Sequence, residues 1–340
     1  MRTATITVTY RLSLLDKSPI PEGATATQAL HRTIALAQRA EELGYRRFWA
    51  AEHHGSPGFA GSAPEILVSH ILAATSRIRV GSGGVMLQHY SPYKVAEVFK
   101  VLASLAPGRV DLGIGKAPGG LPDSTRALQS LHDKSKPSDF ASRLAELDHF
   151  LAGTLPTDHA LAGAVATPTP PDLPARFLLG GSPESAVLAA QRGWQFVYAA
   201  HFNGDPANIE RSVEAYRLAT GRAPLLALFA FAARSQAEAE RLVGEVRGVH
   251  LQLATGQSFN LPTVQAAAEF ARQAGVDNYR TEERQPHVIA GTPEHVRREL
   301  GVLSLRYGIE EFVIDSPVTS FDERWASVGL LAGAREAVAA

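Results

Sequence analysis

Short apolar runs alternate along the chain with longer stretches in which apolar residues recur every three or four positions; the first pattern predicts strands and the second helices. Residues 10–15 read as a strand, closed by Asp16-Lys17-Ser18-Pro19. In residues 27–43 the helical period runs through Ala29, Leu30, Ile34, Leu36, Ala37, Ala40 and Leu43, and Gly44 stands at the C-cap. Further strands are predicted at 48–52, 78–87, 109–114, 176–179, 196–200, 225–232 and 312–315, with helices between them, the last at 321–332. Strand and helix in strict alternation mean parallel strands joined by crossovers, and eight such strands favour a closed barrel over an open sheet. The expected fold is therefore α/β, a single (β/α)8 TIM barrel over residues 1–340 with insertions in the strand–helix loops.

Four stretches fall outside this rhythm. Residues 1–9 read as an N-terminal extension, 125–136 are polar, and 153–174 are rich in Pro, Ala and Thr without periodicity. Residues 249–288 form a polar insertion, punctuated by a helix at 263–274, between strands seven and eight.

Composition narrows the function. Apolar residues make up 45% and charged residues 20%, ordinary for a globular protein with its own core. Lys plus Arg (33) nearly balances Asp plus Glu (34), so no global field draws the chain to nucleic acid or to an anionic membrane. The absence of cysteine excludes disulfides, thiolate nucleophiles and Cys-ligated metals. The first ten residues alternate with Thr instead of forming an apolar signal core, and the longest apolar run, 225–233, is less than half of the ~20 residues that a membrane span needs. A cytoplasmic enzyme with a small ligand is expected.

Candidate chemistry concentrates between Arg46 and Gly120, where three predicted strands end in Glu52-His53-His54, in Ser82-Gly83-Gly84 and in Gly113-Ile114-Gly115-Lys116. Barrel enzymes place reactive groups at such C-terminal strand ends. The Glu-His-His run is a poor metal site, because neighbours on a strand face opposite ways: Glu52 and His54 share a side and His53 does not. The glycine run ending in Lys116 misses the dinucleotide fingerprint, lacks the Ser or Thr of a phosphate-binding P-loop, and no G-x-S-x-G elbow occurs in the chain. Leu179-Gly180-Gly181-Ser182-Pro183-Glu184-Ser185 is the stronger anion signal, since small residues and two hydroxyls open a helix there. An ordinary N-cap at Ser182 explains the same segment about as well.

In order and spacing these segments, with Arg79 to Leu87, Pro107 to Gly119 and Ile289-Ala290-Gly291-Thr292-Pro293, resemble the luciferase-like flavin monooxygenases over residues 11–332. The resemblance implies an eight-stranded barrel that binds FMN, or in one branch a deazaflavin, at the C-terminal strand ends. It implies a homodimer in many members and a separate reductase supplying the reduced flavin. By motif position it implies that His53 is the catalytic base, and that Glu52, His54, Ser82, Gly83, Gly84, Lys116, Gly181, Ser182 and Ser185 surround the cofactor. Within that set Gly83-Gly84 match a cis peptide beneath the flavin ring, and Lys116, Gly181, Ser182 and Ser185 match the phosphate cradle. Lys116 departs from the arginine usual at its position, and Gln88-His89-Tyr90 departs from a stretch that is often Pro-Asn-His.

The resulting expectation is a two-component monooxygenase using reduced FMN and O2 on a small organic substrate, with no metal. Three rivals stand beside it: a deazaflavin-dependent hydride-transfer enzyme, a non-catalytic flavin binder, and a metal-dependent hydrolase built on Glu52 and His54.

Overall fold

The computed structural model describes residues 10–333 except 134, 136–138, 203 and 245. The expected extension at 1–9 and the end of the polar stretch at Lys136 lie outside the described residues. Strands β1 (Arg11–Asp16), β2 (Arg47–Ala50), β3 (Arg79–Ser82), β4 (Val85–Met86), β5 (Val110–Gly115), β6 (Ala175–Gly180), β7 (Gln195–Ala199) and β8 (Leu225–Ala232) are followed by β9 (Gly248–Leu253), β10 (Ser258–Leu261), β11 (Tyr279–Arg284), β12 (Val288–Gly291) and β13 (Glu311–Asp315). Parallel pairing runs from β13 through β1, β2, β3, β5, β6 and β7 to β8, and β8 pairs back onto β13. This closes the eight-stranded parallel barrel that the alternating pattern predicts.

Strand parity separates two cores. Leu12, Leu14, Phe48, Val80, Leu112, Ile114, Leu178, Phe196, Leu226 and Phe312 point outward and pack in the shell under the helices. Leu15, Trp49, Phe177, Val197, Leu225, Ala227 and Val313 point inward and fill the barrel. The helices present the matching faces: Leu36, Ala37 and Ala40 of the helix Ala26–Glu42 are buried, and Thr25 caps it through a capping box with Gln28.

Below the apolar layer the inward positions are charged. The Arg47 guanidinium reaches Asp111 at 2.9 Å and Glu311 at 2.5 Å, Arg79 reaches Asp111 at 2.6 Å, and Ser13 donates to Glu311 at 2.6 Å. The indole N–H of Trp49 donates to Asp111 at 3.0 Å, joining this layer to the apolar one. Two guanidinium groups and two carboxylates balance, which is the condition under which buried charge is tolerated.

Two differences from the sequence expectation have clear causes. The strand expected at 78–87 breaks into β3 and β4 around a cis peptide bond between Gly83 and Gly84. A Cβ on Gly84 would stand 2.8 Å from the Gly113 carbonyl oxygen, so only glycine lets the chain pass this close to β5. The insertion is a three-stranded antiparallel sheet in the order β10-β9-β11, backed by the helix Val264–Ala274; the polar alternation of its strands, open to solvent on one face, hides the strand signal. Its helix meets the segment after β5, where Gln273 accepts from Asp123 N at 2.9 Å, while Asn260 of β10 donates to Phe202 O beyond β7 at 3.2 Å.

Removing the Asp111 carboxylate leaves the buried Arg47 with only Glu311 as counter-charge and Arg79 with none. Asp111→Asn is expected to lower unfolding free energy by about 3 kcal/mol in a urea titration. An unchanged midpoint would contradict the structural role of this layer.

Candidate functional site

The inward parity that places Arg47 and Trp49 continues upward to the C-terminal mouth of the barrel. There it delivers Lys17 after β1, His53 after β2, His201 after β7, Phe229 on β8 and Asp315 at the end of β13. On the opposite side of the mouth the same alternation delivers Gly83, Gly115 and Gly181, which contribute no side chain. The mouth therefore has a polar wall and a glycine floor.

The polar wall is tightly coupled. Lys17 pairs with the buried Asp315 at 2.6 Å and lies 4.9 Å from the centre of the Phe229 ring. His201 packs on the same ring, centroid to centroid 5.7 Å, and on Phe202 at 4.4 Å. His53 packs on Phe59 at 4.7 Å. Burial, followed by the nearby Lys17 ammonium, pushes His53 down to about 3, and the same two causes in the same order push His201 down to about 3. Both rings are consequently neutral through the physiological range.

Glu52 and His54 leave the barrel lumen on the other face of the chain and meet each other at 2.7 Å. Tyr90 donates its hydroxyl to Glu52 at 2.9 Å, and the Met86 N–H donates to the second carboxylate oxygen at 3.1 Å. Burial first, and then the Glu52 carboxylate, raises the Tyr90 phenol, which holds it protonated as that donor. The strand-parity reading of Glu52-His53-His54 is visible here: two of the three residues meet, and His53 is alone with the polar wall.

Of the residues proposed from the resemblance, Gly83 and Gly84 form the floor. Ser82 does not face the mouth; its hydroxyl donates to Gly113 O at 2.8 Å and accepts from Gly113 N at 3.1 Å, tying β3 to β5. Glu52 and His54 likewise brace the segment beyond the cis bond. Lys116 is exposed, two residues past the last β5–β6 ladder pair, Ile114 with Leu178, which sets it level with Gly180. Ser182 caps the helix Pro183–Gln191 by accepting from Ser185 N, so the ordinary N-cap reading of this segment holds. Gly181 O accepts from Asn208 Nδ2 at 2.7 Å, which turns the segment's carbonyl away from the helix start.

A phosphate-bearing, planar cofactor fits this arrangement. Lys116 follows β5, and the start of the helix Pro183–Gln191, with Ser182 and Ser185, follows the neighbouring β6, beside strand ends that carry glycine. Buried polar atoms that lack a hydrogen-bond partner among the described residues include His53 Nδ1 and His201 Nδ1 on the polar wall. Unpartnered atoms of this kind are uncommon in a protein interior and here mark a place where polar groups converge on a ligand.

Lys17, His201, Phe229 and Asp315 were not singled out in the sequence. Each stands on or just beyond a predicted strand, so the strand-end rule applied to strands one, six, seven and eight, as it was to two, three and four, would have found them. Tyr90 and Asn208 carry no such signal, because their roles depend on tertiary contact.

The closed parallel barrel, with glycine at three neighbouring strand ends of its mouth, is a TIM-barrel architecture. The chain belongs to the luciferase-like monooxygenase family, whose model matches residues 11–309. It is 43% identical to the N-acetyl-S-alkylcysteine monooxygenase of Bacillus subtilis over 95% of this chain and 98% of that protein. It is 32% identical to a luciferase-like monooxygenase of Escherichia coli over 96% of this chain and 98% of that protein. Among solved structures, apo-MsnO8 superposes with a TM-score of 0.76 at 34% identity, covering 96% of this chain and 98% of that one. The chain is thus an FMN-dependent monooxygenase that acts on a small organic substrate with O2. No helix among the described residues is long and apolar enough to cross a membrane.

The depressed histidines set a pH signature. Below about 6.5 the unfolded chain takes up protons on His53 and His201 that the folded chain refuses, so stability falls as pH drops from 6.5 towards about 3. His201→Gln is expected to flatten this slope in denaturation curves recorded from pH 7 to 4. A slope unchanged by the substitution would show that the ring is not held neutral.

Proposed function

We propose that the protein is the oxygenase of a two-component system, accepting reduced FMN from a separate reductase and oxygenating a small thioether of the S-alkylcysteine class in the cytoplasm. The division of the mouth into a glycine floor and a polar wall carries this reading, and the 43% identical relative supports the substrate class. When bound, reduced FMN supplies two electrons to O2, one oxygen atom going to the substrate and the other leaving as water.

Every other task falls to side chains. Lys116, Ser182, Ser185 and the backbone at Gly181 bind the phosphate; the charge of Lys116 and the helix N-terminus act together on an anion. Gly83 and Gly84 give the ring a floor it can approach closely. Leu15 and Trp49 lie directly beneath, since a Cβ on Gly83 would come within 2.5 Å of Leu15 and 3.0 Å of Trp49. The insertion, touching loops on two sides of the mouth, limits water entry. Glu52, His54 and Ser82 hold the floor in place. His53 is the proton carrier: its neutral ring stands on the wall that faces the substrate, and burial makes it a weak base. Its low basicity restricts that step to a proton released as the reaction proceeds. The family's common homodimeric assembly is part of the same proposal.

The test supplies the purified protein with an FMN reductase, NADH, isotopically labelled O2 and N-acetyl-S-methylcysteine as probe. Labelled oxygen is expected in the product only when both proteins are present. His53→Ala is expected to slow that turnover by about a hundredfold while changing FMN affinity less than about twofold. Unlabelled probe at all enzyme levels would remove the thioether assignment, and a large loss of FMN affinity would recast His53 as a binding residue.

A further inference from the structure

The segment after β5 is held by three successive carbonyls. Gln88 Nε2 donates to Ala117 O at 2.6 Å, His89 Nε2 donates to Pro118 O at 2.8 Å, and His54 N donates to Gly119 O at 2.7 Å. His54 and Gly120 then form an isolated bridge. Gln88 and His89 belong to the 3-10 turn Leu87–His89 that follows β4, so the anchors come from the same stretch of chain as the Gly83–Gly84 floor. The anchors are themselves fixed: Gln129 donates its side-chain amide to His89 Nδ1 at 3.0 Å, which makes His89 a neutral ring with one donor and one acceptor already used. Burial holds the ring in that state by lowering its basicity.

Lys116 opens this anchored segment, and it makes no ion pair or hydrogen bond with another described residue. A lysine is a point charge on four flexible carbons and lacks the planar fork by which an arginine aligns itself on a phosphate. Where the side chain does not set the geometry, the backbone that carries it must. We infer that Gln88 and His89 are positioning residues: by clamping Ala117 and Pro118 they fix the place from which Lys116 meets the flavin phosphate. This inference rests on the assignment of Lys116 to the phosphate.

The experiment is a double-mutant cycle read by binding alone, titrating FMN and riboflavin, each fully reduced under anaerobic conditions, against tryptophan fluorescence. Lys116→Ala is expected to weaken FMN by about thirtyfold and riboflavin by less than about twofold. Gln88→Ala is expected to weaken FMN by about tenfold, again with riboflavin nearly unchanged. In the Lys116→Ala background Gln88→Ala should have no further effect on FMN, because the ammonium it positions is gone. Gln88 is only partly buried, and Gln88→Met, which keeps its length without a donor, repeats the measurement if the alanine variant folds poorly. If Lys116→Ala weakens both flavins equally, the phosphate assignment itself fails. If Lys116→Ala is selective but Gln88→Ala weakens both flavins alike, or adds fully to Lys116→Ala, the clamp has no positioning role.

Discussion

Four paired charges at the closed end of the barrel, three of them buried, fix everything above them. Arg47, Arg79, Asp111 and Glu311 pair across β2, β3, β5 and β13, and the buried Arg47, Asp111 and Glu311 are tolerated because their partners point the same way. A slip of one residue in any of these strands would turn its charge into the apolar shell under the helices and its neighbours to the wrong face. The ion network therefore sets strand parity. Parity in turn decides that His53, Gly83, Gly115 and Asp315 reach the open end, while Glu52, Ser82 and His54 turn outward.

The consequence is a mouth whose two sides differ in kind. On one side Lys17 is matched by Asp315, the two histidines are neutral, and Phe229 packs against Lys17 and His201, so the wall is polar without net charge. On the other side the strand ends carry glycine, and the cation there, Lys116, has no protein carboxylate opposite it. In the proposed reading the second side takes the anionic cofactor tail, and the first takes a neutral or weakly polar substrate. The outward network of Glu52, His54 and Tyr90 does no chemistry of its own in this scheme. It holds Met86, and through it the segment beyond the cis bond, against β5.

Much of this was legible in the chain before any coordinates. The eight strands and their order follow from apolar runs separated by helical periods, and the opposition of Glu52 and His54 to His53 follows from period two. The insertion was legible as an insertion but not as a sheet, since β11, Tyr-Arg-Thr-Glu-Glu-Arg, has no apolar face to betray a strand. The break at Gly83–Gly84 was legible only through resemblance, because its cause is a backbone approach to Gly113 on another strand. Ser82 adjoins the glycine floor, and its hydroxyl is engaged by Gly113 on the next strand, a contact that period two alone does not reveal. Gln88 and His89 stand out in the sequence as a departure from the family pattern, but their partners, the Ala117 and Pro118 carbonyls, are not legible there.

The division of the mouth is the central claim, and a crystal structure of the protein with FMN tests it most directly. The expected result is a flavin ring over Gly83–Gly84 with its phosphate within hydrogen-bonding distance of Lys116 Nζ and Ser182 Oγ, leaving Lys17, His53 and His201 facing open space above the ring. A phosphate bound at Lys17, or a ring stacked against Phe229 and His201, would contradict it.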